Sequence, residues 1–128
     1  MLALDFKSLA VLALLAALIA AAVVLIAAPR VADLPSLPRT GHAQEAHQGQ
    51  AWNAEKIIGV MAGGGCGNVN VYACNDGTFL YLCADPDNAS KLLGLFVSQT
   101  SGKVITGYIG DISYWDRKIK SCTPIGPG

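Results

Sequence analysis

The chain has 128 residues, and its nine Lys/Arg and nine Asp/Glu residues give a formal net charge of zero. This length accommodates one small domain and excludes multidomain architectures and large barrels. The balanced charge argues against nucleic acid as a partner, because binding to phosphates requires a surplus of basic residues.

The first predicted element is a transmembrane helix. Residues 9–28 form an unbroken run of 20 Ala, Leu, Val and Ile residues. As a helix this run would span about 30 Å, the thickness of the hydrocarbon core of a bilayer. Pro29 follows directly and Ile26 is large, so the flanks are poor for signal-peptide cleavage. We therefore expect a flank over residues 1–8 and an uncleaved signal anchor over residues 9–28. A cleaved signal peptide and a secreted domain are the alternative.

Residues 29–50 contain several Pro, Gln, Ala and Gly residues and both histidines. This composition is typical of an extended, solvated linker between a membrane and a domain. The folded module would then occupy residues 51–128.

The four cysteines are Cys66, Cys74, Cys83 and Cys122. Their spacing does not match zinc sites, in which ligand pairs lie two to four residues apart, and residues 57–128 contain no His. An even number of cysteines in a small domain instead predicts two disulfides and a location outside the cytoplasm. We expect no metal and no cofactor.

Asp76-Gly77 lies between the apolar segments 68–75 and 78–84, which predicts a hairpin with a two-residue turn. This register pairs Cys74 with Phe79. It separates Cys74 from Cys83 by about 13 Å along the strand, too far for a disulfide. Two pairings remain: Cys66–Cys83 with Cys74–Cys122, favoured by the glycines before Cys66, or Cys66–Cys74 with Cys83–Cys122.

The remaining elements are shorter. Residues 56–61 (KIIGVM) read as a first strand, and residues 86–93 read as a two-turn helix between Asp85 and Gly94. Residues 95–99 and 104–109 predict a second hairpin, and the segment 110–122 fits either a helix or an edge strand. The fold class is therefore α+β: one transmembrane helix, then a small antiparallel sheet domain of about five strands, with two hairpins, one short helix and two disulfides.

In the predicted register, one face of the first hairpin is apolar and the other combines aromatic and amide side chains. Such side chains suit a protein or glycan partner. The candidate binding residues are Asn68, Asn70, Tyr72, Phe79, Tyr81, Tyr114 and Trp115. The sequence thus predicts a membrane-anchored, non-catalytic binding module of unknown ligand. The alternative is a structural or accessory subunit of an envelope assembly, in which small residues on the anchor would allow oligomerisation in the bilayer.

Residues 103–108 (KVITGY) resemble the closing strand of EndoU-like ribonuclease toxins, in which an Ile-Thr-x-Tyr pattern lines the active site. The resemblance covers six residues and implies a ribonuclease-toxin-like domain as a remote alternative. The catalytic His of that family has no counterpart in residues 57–128, and no two carboxylates form an acid/base arrangement. We therefore name no catalytic residue and expect the module not to be an enzyme.

Overall fold

The structure, a computed structural model, describes residues 26–41 and 50–128. The elements in chain order are a 3-10 helix (Val31–Ser36), α1 (Gln50–Ala62), β1 (Asn70–Cys74), β2 (Thr78–Ala84), β3 (Lys91–Ser98), β4 (Val104–Asp111), α2 (Ile112–Lys118), a second 3-10 helix (Ile119–Ser121) and β5 (Cys122–Pro127). The strands form one antiparallel sheet in the order β4-β3-β2-β1-β5. The expectation of a small antiparallel sheet domain is thereby confirmed.

Both faces of the sheet are covered. Helix α1 and the first 3-10 helix pack on one face, where Leu34, Tyr81 and Leu95 are completely buried. Helix α2 packs on the other face, where Leu80 and Trp115 are completely buried. Strand β2 therefore contributes to two cores, and its first six residues are all buried.

Residues 56–61 belong to helix α1, so the predicted first strand is wrong. The buried residues Ala54, Ile57, Ile58 and Met61 recur at helical spacing. A six-residue apolar run alone fits a strand as well as a helix, and the helical period emerges only when Ala54 is included. The helix lies close to β4 because Gly107 has no side chain: a Cβ there would lie 2.8 Å from the Cα of Ala54.

The first hairpin is confirmed, but its register differs by one residue from the predicted register. Ala73 lies opposite Phe79, and Val71 lies opposite Tyr81. The loop has three residues and closes through Gly77, whose φ is 85° and whose N–H donates to the carbonyl of Cys74 at 3.2 Å. Because a one-residue shift moves side chains to the opposite face, Phe79 and Tyr81 lie on the α1 side of the sheet.

The predicted helix over residues 86–93 is also wrong, since residues 85–90 connect β2 to β3 and Lys91 begins β3. The Asp85 carboxylate accepts the N–H of Asp87 at 2.9 Å, and the Asn88 side-chain oxygen accepts the N–H of Ser90 at 3.0 Å. Side-chain acceptors of this kind stabilise tight turns as well as helix N-termini. The same residues therefore carry both signals, and the structure uses the turn.

The second hairpin, formed by β3 and β4, is confirmed, and its turn contacts the turn of the first hairpin. The side-chain amide of Gln99 donates to the carbonyls of Cys74 at 3.1 Å and Thr78 at 2.7 Å. The N–H of Gln99 donates to the carbonyl of Gly77 at 2.8 Å. The two hairpin turns thus lie together at one end of the sheet.

The ambiguous segment 110–122 contains helix α2, and the chain then continues into β5. Strand β5 pairs with β1 at one edge of the sheet, and its residues beyond Cys122 are exposed. Pro124 and Pro127 have no N–H groups, which limits pairing of this exposed edge with another strand.

Residues 26–41 pack against the domain, so this part of the predicted linker over residues 29–50 is not an extended, solvated tether. The N–H of Thr40 donates to the carbonyl of Val104 in β4 at 2.9 Å. The Arg39 guanidinium donates to both carboxylate oxygens of Glu55 in α1, at 2.8 and 3.1 Å. This hydrogen bonding lowers the pKa of Glu55. The folded unit therefore includes chain that precedes residue 51.

Within residues 26–41 and 50–128, no helix has the length and apolar character needed to cross a membrane. Residues 9–25 of the predicted anchor and residues 42–49 of the predicted linker lie outside the described residues.

All four cysteines form disulfides, Cys66–Cys83 and Cys74–Cys122. This is the pairing that the glycines before Cys66 favoured. One bond ties the loop after α1 to the end of β2, and the other ties the end of β1 to the start of β5. Two structural disulfides are compatible with a location outside the cytoplasm.

We expect both disulfides to stabilise the domain by restricting the unfolded chain. The bonded cysteines are separated by 17 residues for Cys66–Cys83 and by 48 for Cys74–Cys122. In the chain-entropy treatment these loops contribute about 3 and about 4 kcal/mol to the free energy of unfolding. The double variant Cys74→Ser/Cys122→Ser should thus lose more stability in urea unfolding than Cys66→Ser/Cys83→Ser. An unfolding midpoint that reductant leaves unchanged would contradict this account.

Candidate functional site

Helix α2 is fixed on the sheet by Trp115, which is completely buried. Its indole N–H donates to the carbonyl of Leu92 at 3.1 Å. The ring lies over Gly94 in β3, where an added Cβ would be 2.2 Å from the Trp115 ring. The indole ring therefore packs directly on Gly94. The sequence predicted that Gly94 ends a helix, and this prediction is wrong.

Three of the predicted binding residues are buried and belong to the two cores. Phe79 is 5 % exposed, and Tyr81 and Trp115 are 0 % exposed. The Tyr81 hydroxyl donates to the carbonyl of Pro29 in the N-terminal segment, and burial raises the pKa of this phenol. The prediction that these three rings are presented to a partner is corrected: they hold the N-terminal segment and α2 on the sheet.

A groove of about 460 Å³ opens beside α2, at the end of the sheet opposite the two hairpin turns. Its lining combines the entry to β1, the end of β2, the start of β3 and residues around the end of α2. The lining residues are Cys66, Asn68, Asn70, Tyr72, Leu82, Cys83, Ala84, Leu92, Asp116 and Ile119. The predicted binding residues Asn68, Asn70 and Tyr72 are thus brought together in one concavity.

The groove has an apolar part and a polar part. Leu82 is buried, and Leu92 and Ile119 are half-buried, so they supply apolar surface. Asn68 and Asn70 are exposed, and the exposed Asp116 adds a carboxylate from α2. No Lys or Arg is among the lining residues. Amides donate and accept hydrogen bonds while a carboxylate accepts them, so the groove suits an uncharged polar molecule with one apolar face.

Asp116, Leu92 and Ile119 also line the groove, although they are not among the predicted binding residues. They reach the groove because Trp115 fixes α2 over the sheet, a contact between residues distant in sequence. The signal that was available is the helical spacing of Trp115 and Ile119 after Asp111, which places Asp116 next to a buried position.

A second surface of interest is an aromatic cluster between β4 and α2. Tyr108 and Tyr114 are 45 % and 37 % exposed. Their ring centroids lie 5.0 Å apart, and both rings contact the buried Trp115. The predicted binding residue Tyr114 is therefore on the surface, with Tyr108 as a neighbour that the binding-face prediction omitted.

The segment that resembles EndoU-like toxins lies at the start of β4. Ile105 is half-buried and packs in the α2-side core, and Tyr108 is exposed. His42 and His47 lie outside the described residues. In the part of the chain that the structure describes, no three His, Cys, Asp or Glu side chains are grouped so that they could hold a metal ion.

An ion pair links the far end of α2 to the first hairpin turn. The Lys118 ammonium lies 3.1 Å from the Asp76 carboxylate, which also accepts the hydroxyl and N–H of Thr78 at 2.6 and 3.2 Å. Partial burial opposes ionisation of Asp76, but the hydrogen bonds from Thr78 and Lys118 outweigh it. The pKa of this carboxyl is therefore lowered below its usual range.

No protein-family model matches this chain, and no curated protein or solved structure matches it either. The function of this chain must therefore be inferred from the geometry of the groove.

The contact between Gly94 and Trp115 predicts a large effect of a single methyl group. Gly94→Ala should lower the free energy of unfolding by about 1–3 kcal/mol, because neither the ring nor β3, which is paired with a strand on each side, can move freely. The control is Gly59→Ala on the exposed side of α1, where no atom lies within 4 Å of an added Cβ. This control should raise stability by about 0.5–1 kcal/mol. Equal urea midpoints for the two variants would contradict the assigned role of Gly94.

The lowered pKa of Asp76 predicts a dependence of stability on pH. Because the folded pKa lies below the unfolded value near 3.9, the stabilisation is full above that value and is lost as the pH falls through the folded pKa. Asp76→Asn should cost up to about 1 kcal/mol at neutral pH, reduced by solvent screening of this half-exposed pair, and nearly nothing once the pH has fallen below the folded pKa. In a double-mutant cycle, Lys118→Gln added to Asp76→Asn should cost less than Lys118→Gln alone. A cost of Asp76→Asn that is independent of pH would exclude this ionic role.

Proposed function

We propose that this domain is a non-catalytic binding module outside the cytoplasm, and that the groove beside α2 binds an uncharged glycan chain. The observation that carries the proposal is the convergence of Asn68, Asn70 and Tyr72 with Asp116 around an apolar floor. Asn68, Asn70 and Tyr72 lie on β1 and its approach, Asp116 lies on α2, and the folded chain brings the two elements to one concave surface.

The chemistry of the lining favours a sugar ring. A sugar ring has an apolar C–H face and a rim of hydroxyl groups that donate and accept hydrogen bonds. The Tyr72 ring combines an apolar body with a polar hydroxyl, and the amides and carboxylate complement hydroxyl groups. The groove volume of about 460 Å³ falls within the usual range of about 300–1,000 Å³ for small-molecule sites.

The same lining argues against other ligands and against catalysis. Phosphate and sulfate groups are bound mainly by Arg and Lys, and neither lines the groove. Hydrolysis of a glycosidic bond usually requires two carboxylates on opposite sides of the bond. Among the described residues that line the groove, Asp116 is the one carboxylate. Binding without cleavage is therefore the function that we propose.

We further propose that the apolar residues 9–25 anchor the domain in a membrane, with the domain on the outer side. The support is their composition together with the two disulfides, which form and persist in oxidising compartments. Seventeen apolar residues reach the lower limit of the length needed to cross a bilayer.

A second candidate function, an accessory subunit of an envelope assembly, is favoured by the aromatic cluster. Tyr108 and Tyr114 present exposed rings next to the exposed Ile112. Aromatic residues are enriched where protein partners bind. This surface lies on the opposite side of Trp115 from the groove, so the two candidates are separable by substitution.

We expect the full chain in detergent micelles to bind at least one neutral oligosaccharide in isothermal titration calorimetry. The probes are cellohexaose, chitohexaose and maltohexaose. Tyr72→Ala, and separately Asn70→Ala/Asp116→Asn, should weaken binding at least tenfold, because each removes one of the two types of contact. This corresponds to about 1.4 kcal/mol.

The matched controls are Tyr114→Ala and Asn75→Ala, which remove the same side-chain types from exposed positions that do not line the groove. Both should bind as the unsubstituted chain does, and thermal melting should show that all variants are folded. Absence of binding to all three oligosaccharides, or equal losses in Tyr72→Ala and Tyr114→Ala, would overturn the proposal. A loss confined to Tyr114→Ala would favour the aromatic cluster.

A further inference from the structure

The described chain enters the domain at a defined place. The N–H of Ile26 donates to the carbonyl of Gln99 in the turn between β3 and β4, at 3.1 Å. Gln99 also binds the turn between β1 and β2, so residue 26 lies at the end of the sheet that carries both hairpin turns. We call this end of the domain the basic end, for the charges described next.

The basic end carries three lysines and one acid. Lys118 pairs with Asp76, Lys103 lies directly after the β3–β4 turn, and Lys120 precedes Ser121, whose carbonyl accepts the N–H of Asn75. Three ammonium groups against one carboxylate give a local charge of +2. The nearby Arg39–Glu55 pair is neutral and does not change this sum.

The opposite end of the sheet has the opposite sign. The turn between β2 and β3 and the end of β4 carry Asp85, Asp87 and Asp111. Lys91 lies opposite Asp111, and Lys56 lies 3.7 Å from Asp87. Asp116 lines the groove at this same end, so four carboxylates against two ammonium groups leave a charge of −2. The domain is thus polarised along the strands although the chain is neutral overall.

The position of the apolar run determines how close this basic end is to the bilayer. Residues 26–41 pack on the sheet and do not form a spacer, so the apolar residues 9–25 adjoin the basic end directly in sequence. A polybasic surface next to a membrane-inserted segment is attracted to anionic lipid headgroups, by an amount that falls off within a Debye length.

We propose that the basic end rests on an anionic lipid surface, with Lys103 and Lys120 at the headgroups and the groove beside α2 facing away from the membrane. The inference rests on the proposed anchor and is independent of the ligand of the groove. It follows from the attachment at Gln99, the absence of a spacer in residues 26–41 and the opposite charges of the two ends.

The test is acetylation of lysines in the full chain reconstituted into nanodiscs, with site-specific rates read by mass spectrometry. The nanodiscs contain phosphatidylcholine alone or phosphatidylcholine mixed with phosphatidylglycerol. In the anionic nanodiscs, Lys103 and Lys120 should react about fivefold more slowly than in detergent, and high salt should largely restore their rates. Lys91 at the opposite end is the internal control and should react at the same rate in all conditions.

A variant pair checks the role of charge. In the unsubstituted chain Lys118, at the same end, should also react more slowly in the anionic nanodiscs, and Lys103→Gln/Lys120→Gln should abolish this difference. Lys56→Gln/Lys91→Gln should preserve the protection of Lys103 and Lys120. Rates of Lys103 and Lys120 that do not change between detergent and anionic nanodiscs, in a chain that remains with the nanodiscs, would overturn this inference and leave the anchor in place. A chain that does not remain with the nanodiscs would overturn the proposed anchor and this inference together, while the glycan titration would still stand or fall by itself.

Discussion

The packing of Trp115 on Gly94 is the contact on which the second half of the molecule depends. The indole ring can approach the strand this closely only because Gly94, at the centre of β3, has no side chain. The hydrogen bond from the indole to Leu92 fixes the orientation of the ring, and with it the axis of α2. The orientation of α2 places Asp116 at the groove and brings Cys122 to Cys74. The packing of Trp115 on Gly94 therefore positions both one wall of the candidate site and the edge strand β5.

The register of the first hairpin decides which aromatic rings are available to a ligand. Asp76-Gly77 is compatible with a two-residue or a three-residue loop, and the two differ by one residue in the pairing of β1 with β2. The alternation of apolar and polar residues along a strand normally determines its register. The first six residues of β2 are all buried, so this strand has no such alternation. The hairpin was therefore predictable from sequence, while the face on which Phe79 and Tyr81 lie was not.

Other features of the fold also differ in whether local sequence or contacts between distant residues determine them. The cysteine count, the hairpin that separates Cys74 from Cys83 and the glycines of residues 63–65 together favoured the observed disulfide pairing. The helix at residues 56–61 and the turn at residues 85–90 were not predicted, because each short segment fits two kinds of structure: a strand or a helix in the first, a helix start or a turn in the second. The packing of residues 26–41 depends on distant partners, such as the pairing of Arg39 with Glu55 and of Tyr81 with Pro29. The groove was half predictable, since Asn68, Asn70 and Tyr72 are on one strand and its approach, whereas Asp116 arrives through α2.

The charges at the two ends of the sheet and the position of the groove are consistent with the same orientation of the domain on a membrane. The groove lies where β2 ends and β3 begins, the end of the sheet opposite to the attachment of residue 26. If the basic end rests on the membrane, a glycan chain of any length can enter the groove without passing between the domain and the lipid surface. The opposite end of the sheet, which carries the net negative charge, then faces the same solvent as the groove. It repels anionic polymers over one Debye length, about 8–10 Å. An uncharged ligand would approach this surface without that barrier, which is the same selectivity that we propose for the lining residues at contact distance.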